Sequence, residues 1–186
     1  VEVEVFSLMS PGDGRFHGSL SELKLPIEYV LREKPESYSD KVSKFPPGVA
    51  PSMDRWQRAV DFLREHAIPK ELDMLLRAVY IGAEARMRGV QHFHAHFATI
   101  STRMAALVNI LYDIPFSFTC HAKDIFRETV NRNLFRELTD LSAFSITVSD
   151  FNRQYILDHT PGIDADKVKR LYNGINMDFF EVPADR

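Results

Sequence analysis

Cysteine is almost absent: the 186 residues contain one, Cys120. One thiol can neither close an internal disulfide nor build a common structural zinc site, so neither device holds this fold, and the chain suits a reducing, cytosolic compartment. A basic excess is missing as well. Lys and Arg number 23 against 26 Asp and Glu, a formal net charge of −3, which argues against a nucleic-acid binder. No apolar run approaches the roughly 18–20 residues of a membrane span, and no basic segment followed by an apolar one opens the chain as a signal peptide would. Internal repeats and low-complexity tracts are also lacking. The length, by contrast, suffices for one domain with its own core. The first residue is Val rather than Met and sits in a strand-like run, so a fragment with earlier residues missing is expected.

Val1, Val3 and Val5 alternate with Glu2 and Glu4, the period of a strand with one wetter face, and a turn follows at residues 10–14. Short apolar pieces around residues 23–31 suggest a brief strand. Five prolines then interrupt residues 26–51, and a mobile loop is expected over 33–51. Regularity returns at Ser52, an N-cap for a helix bearing Met53, Trp56, Val60 and Leu63 and ending at Ile68-Pro69. Leu72, Leu75, Leu76, Val79, Tyr80, Ala83 and Met87 keep helical spacing over 71–88, and Gly89 stands where a C′ glycine belongs. Strands are expected at 90–97, 116–120, 143–148 and 168–172, with helices between them opened by Thr99 or Ser101, lined by Leu134, Phe135, Leu138 and Leu141, and capped by Ser149. Short apolar strands alternating with helices imply an α/β fold, a doubly wound parallel sheet of the Rossmann-like, three-layer α/β/α kind. In such sheets ligands bind beyond the carboxyl ends of the strands, which here carry His, Lys, Asp, Ser, Thr and Asn.

Three motifs compete for that rim. The glycines at 12, 14 and 18 miss G-x-G-x-x-G by one residue and open no periodic helix, so a dinucleotide loop is not supported. His92, His94 and His96 share one strand face and could hold a metal, as in a metal-dependent hydrolase resembling the amidohydrolases. That barrel needs about 250 residues and further ligands from later strands, so hydrogen bonding of His92 and His94 within the sheet is the better reading, leaving His96 with access to a site. The strongest constellation runs from Phe116 to Ile125. A buried strand ends at Cys120 and delivers His121, Lys123 and Asp124 into a rim loop, where they can bind sugar hydroxyls or phosphates and stabilise developing charge.

Residues 90–183 resemble the N-terminal domain of retaining, GT-B-fold glycosyltransferases of family 4. The resemblance rests on His94-Ala95-His96-Phe97, on Ile114-Pro115-Phe116-Ser117-Phe118-Thr119 followed by His121-Ala122-Lys123-Asp124-Ile125-Phe126, on Thr147-Val148-Ser149 with Asn152, Arg153 and Leu157, and on Tyr172-Asn173-Gly174-Ile175 through Phe180. It implies one half of a GT-B fold, the acceptor-side domain, facing a second domain that holds a nucleotide-sugar donor. The implied reaction transfers that sugar to a saccharide or lipid-linked acceptor with retention at the anomeric carbon and no metal cofactor. Carried over by position, His121 would touch the donor sugar near the reacting centre, and Lys123 and Asp124 would shape its pocket. His96 and Thr99 would line the acceptor side, and Ser149 and Asn173 the cleft wall.

The departures are equally specific. Residues 1–186 are expected to form a single domain that begins at the family's second strand, without its opening strand, glycine-containing loop and following helix, and without the nucleotide-sugar domain. The isolated fragment is therefore expected to be inactive. Cys120 and Asn176 replace the family's usual small residue and Asp. Three function classes remain: transferase domain, metal-dependent hydrolase through His92, His94 and His96, and a non-catalytic Rossmann-like interaction module. A cytoplasmic location is expected. A peripheral contact with the inner membrane face through Trp56, Phe62, Leu63, Arg55, Arg58 and Arg64 competes with an ordinary core-facing helix, which is the better reading.

Overall fold

The computed structural model describes residues 1–10, 12, 24–66 and 71–175, the side chains at 71 and 72 excepted. The glycine loop at 12–18, the Ile68-Pro69 helix stop, and Asn176 through Phe180 lie largely or wholly outside the described residues.

The fold is mixed α/β, with parallel sheets and helices in the manner of a Rossmann-like three-layer domain. Strands β1 (Val5–Ser7) and β2 (Ile27–Tyr29) pair in parallel, Val5 opposite Ile27 and Ser7 opposite Tyr29. Helices α1 (Pro35–Ser43), α2 (Met53–Glu65) and α3 (Glu71–Arg88) follow. The second sheet has the order β3-β4-β5-β6, all parallel: β3 (Phe93–His96), β4 (Phe116–Cys120), β5 (Phe144–Thr147) and β6 (Val168–Arg170). Between its strands run α4 (Ile100–Tyr112), α5 (Ala122–Phe126) with α6 (Arg132–Leu141), and α7 (Asp150–His159).

The core packs β4 against α4 and α6, with α2 and α3 packed on α4. Every residue of β4 is buried, and Phe118 meets Phe135 of α6 edge to face at 6.1 Å. On α4, Met104, Leu107, Val108, Ile110 and Leu111 are all buried. Each such side chain contributes about 1.5–3 kcal/mol of hydrophobic stabilisation. Tyr112 closes α4 by donating its hydroxyl to Val79 O at 3.0 Å, and burial pushes its phenol up to about 12. Its ring lies so close to Gly82 of α3 that any Cβ there would collide with it, which is why this helix carries a glycine.

Helix α3 runs antiparallel to β1 and β2. Near its start the buried Arg77 donates to Leu8 O and Val30 O, just past the two strand ends (3.0 and 2.6 Å), while near its finish Arg88 pairs with Glu4, Glu28 and Glu84. This arrangement gives β1 and β3 the same direction, yet the two sheets do not join. Phe6 and Phe93 approach at 6.0 Å between ring centroids. Val5 and Ser7 bond towards β2, so the backbone of Phe6 faces the other way; Phe93 and Phe97 donate to β4 or its flanks, so the backbones of His94 and His96 face β1. A cleft of about 460 Å³ separates the two edges.

Three expectations change. Residues 1–4 are outside β1, and Val1 and Val3 are exposed. The expected loop at 33–51 contains α1, started by Pro35 in the first turn, where its missing N–H costs nothing, and anchored by the buried Tyr38, whose hydroxyl donates to Leu31 O. His121 caps a one-turn helix, so Lys123 and Asp124 lie on α5 rather than in a loop. On α2, by contrast, Phe62 and Leu63 are buried, in keeping with the core-facing helix that is the better reading of the sequence. Among the described residues no helix is long and apolar enough to cross a membrane.

Candidate functional site

The carboxyl ends of β3 and β4 lie side by side, with His96 registered opposite Thr119, and they bring two imidazoles together. His96 Nδ1 stands 3.5 Å from His121 Nε2, and the rings stack at 5.8 Å with 21° between planes. The ring of Phe97 lies 4.5 Å from that of His121. His96, Phe97 and Thr99 also line the cleft between β1 and β3, with Ser7 and Met9 opposite.

Asp124 joins the two loops behind this cluster. It is 4% exposed, and its Oδ1 accepts from the His121 N–H (2.8 Å) while its Oδ2 accepts from the Ala98 N–H (2.5 Å). Expected to shape the pocket, Asp124 is instead seen as a buried clamp between the two loops. Lys123 is exposed on α5. Thr99 caps α4 without a side-chain bond and is exposed towards the cleft. Ser149 accepts from Asn152 N–H at 3.1 Å as the N-cap of α7, and Asn173 is exposed beyond β6. The geometry therefore groups His96, His121, Thr99 and Asp124, and leaves Lys123, Ser149 and Asn173 outside that set of contacts.

Histidines 92 and 94 spend their nitrogens on hydroxyls. His92 Nε2 lies 2.7 Å from Ser117 Oγ, while His94 reaches Ser117 Oγ through Nδ1 and Thr119 Oγ1 through Nε2, both at 2.9 Å. A metal shared by the three strand histidines would have to break these bonds. Among the described residues, the group of three with ligand-like spacing is instead Glu65, His66 and Glu137, on the end of α2 and on α6, where His66 Nε2 and Glu137 Oε2 pair at 2.6 Å. Cys120 is fully buried, and burial pushes its thiol far up, so it is no nucleophile.

Desolvation, and then the neighbouring His96 and His92, hold His94 below the usual imidazole range. The folded chain therefore resists a proton that the unfolded chain accepts near pH 6.5, so stability present above that value is lost as the pH falls through it. His94→Asn is expected to flatten the drop in urea midpoint between about pH 6.5 and 5. An unchanged slope in that variant would place the titration elsewhere.

Phe97 and the hydroxyls of Ser117 and Thr119 are the site features that sequence reading missed. The strand alternation that puts His94 and His96 on one face puts Phe97 on the other, away from the candidate site, and β4 read simply as a buried strand. A search of curated proteins returns no significant match. The family described as Glycosyltransferase Family 4 matches residues 1–179, nearly the whole chain, over the same parallel strands that bring His96 and His121 together, and the chain belongs to that family.

Proposed function

We propose that this chain is the acceptor-side domain of a glycosyltransferase that moves a sugar from a nucleotide-sugar donor to a saccharide or lipid-linked acceptor, with retention at the anomeric carbon and without a metal. The observation that carries the reading is the placement of His121. It stands at the carboxyl end of a central parallel strand, partly exposed, beside a second imidazole, that of His96, which lines the cleft between β1 and β3. An imidazole there can give or accept a hydrogen bond to a sugar hydroxyl without a fixed charge. His121 is the group in contact with the donor sugar, and His96 and Thr99 face the acceptor. Lys123, Ser149 and Asn173 stand past the carboxyl ends of β4, β5 and β6, on the side where a second, nucleotide-binding domain meets this one in the cytoplasm.

The open edges of β1 and β3 support an incomplete domain. One further parallel strand between them, first in chain order, turns β2-β1 and β3-β4-β5-β6 into 3-2-1-4-5-6-7, the 3-2-1-4-5-6 order of doubly wound sheets with one strand added at its end, and the ligand crevice of such sheets lies at the switch point beside β3. The test is to incubate the full-length protein with a panel of nucleotide hexoses and to read transfer or slow donor hydrolysis by mass, and the anomeric configuration by NMR coupling. Turnover with retention is expected. A folded protein that consumes no nucleotide-sugar, or one that inverts the anomeric centre, would remove the corresponding part of the reading.

A further inference from the structure

Phe97 has a left-handed backbone, φ +68°, which a bulky residue adopts only under constraint. The constraint is visible. Its N–H donates to Thr119 O at 2.8 Å, and its carbonyl accepts from the Thr99 N–H (2.8 Å), Thr102 Oγ1 (2.7 Å) and Ser101 Oγ (3.2 Å). These bonds hold an unfavourable residue in place, so the strain has a use to look for. Regular alternation along β3 would send Phe97 to the same face as the buried Ala95 and the half-buried Phe93, towards α4. The left-handed turn brings it to the rim instead, where it remains 46% exposed with its ring 4.5 Å from that of His121.

We propose that Phe97 is a stacking residue for a hexopyranose, its ring forming the apolar floor of a subsite whose polar wall is His121 and His96. The chemistry of the pair selects the ligand. A pyranose presents a face of C–H bonds, slightly positive, which suits the negative face of an aromatic ring, and its rim of hydroxyls suits imidazoles that both give and accept hydrogen bonds. A flat apolar surface beside a few convergent polar groups is the usual make-up of a small-ligand site. The assignment rests on the transferase reading only for which sugar, donor or acceptor, occupies the subsite; the stacking itself does not depend on catalysis.

The test uses the full-length protein and saturation-transfer NMR with methyl glycosides of the common hexopyranoses. Wild type is expected to transfer saturation to the protons of one pyranose face. Phe97→Tyr keeps that signal, whereas Phe97→Leu and Phe97→Gly weaken binding about tenfold, the size of one aromatic contact. Phe97→Gly is also expected to melt no lower than Phe97→Leu, because glycine adopts the left-handed backbone freely. With a nucleotide-sugar assay in hand, KM for one sugar substrate rises about tenfold in the Leu and Gly variants while kcat changes little. The proposal is overturned if no hexopyranoside receives saturation from wild type, if Phe97→Leu binds as wild type does, or if Phe97→Gly melts well below Phe97→Leu, which would make the ring a packing element. Stacking in a protein that transfers no sugar would uphold this assignment while removing the transferase one.

Discussion

Replacing His121 by Ala in the full-length enzyme is expected to abolish sugar transfer, a loss of at least about 10²-fold in kcat if the imidazole exchanges a proton or hydrogen bond with the reacting sugar. The fold is expected to survive. The ring approaches His96 at 3.5 Å, lies tilted against the Phe97 ring and caps the first turn of α5, and the backbone N–H bond to Asp124 is a tie that alanine retains. Catalytic loss and stability therefore separate: kcat falls while the urea midpoint stays within the range of ordinary surface substitutions. The 3.5 Å nitrogen separation exceeds the usual N–H donor distance, so the two imidazoles are free to turn towards a substrate rather than locked on each other. His121→Gln keeps a donor and an acceptor and should restore part of the rate. Near-normal transfer by His121→Ala would withdraw the catalytic assignment outright.

What could be read from the sequence divides along a physical line. Helix α3 was legible end to end because seven apolar residues keep helical spacing, and Gly89, at φ +73°, takes the left-handed position past its end. Strand β4 was legible because proline precedes it and Phe116, Phe118 and Cys120 alternate with the small residues Ser117 and Thr119. Ser52 and Ser149 were legible as caps because a hydroxyl before a periodic run has one main use, and both accept from the N–H three residues on. Helix α1 was hidden: it is nine residues long, polar except for Tyr38 and Val42, and bracketed by prolines that read equally well as loop. Its stability comes from the burial of Tyr38 against Tyr80, a contact between distant parts of the chain. The separation of the sheets was hidden for a similar reason, since strand periodicity says which residues pair but not which neighbour they find.

The same line divides the site. Motif spacing put His96, His121 and Asp124 in one neighbourhood, because parallel strands of equal direction must end on the same rim. It did not tell a substrate ligand from a scaffold group. Asp124 looks as polar in sequence as Lys123, yet one is buried between two loops and the other is exposed. Phe97 is the converse: an aromatic that strand alternation assigns to the core, brought to the rim by a backbone conformation that no residue pattern announces.

Asp124→Asn is expected to be the most damaging conservative change near the site. The carboxylate accepts one backbone N–H from each of two loops, Ala98 after β3 and His121 after β4, and is 4% exposed. An amide has one oxygen, so whichever way it turns, one buried N–H faces the NH₂ group instead of an acceptor. An unpaired buried donor and the loss of a charge-assisted bond cost about 2–3 kcal/mol, a large part of the stability of a marginal domain but short of unfolding it. The kinetic effect is larger in proportion. His96 ends β3 just before one of the loops that Asp124 ties together, and His121 stands in the other; a displacement of about 1 Å between reacting groups can cost roughly 10²-fold in rate. The expected signature is a lowered urea midpoint with kcat reduced far beyond what the folded fraction explains, whereas Lys123→Met, on the neighbouring exposed residue, leaves the midpoint unchanged. If Asp124→Asn kept both the midpoint and the rate of wild type, the two loops would be positioned by other contacts, and the pairing of His96 with His121 would owe nothing to the clamp.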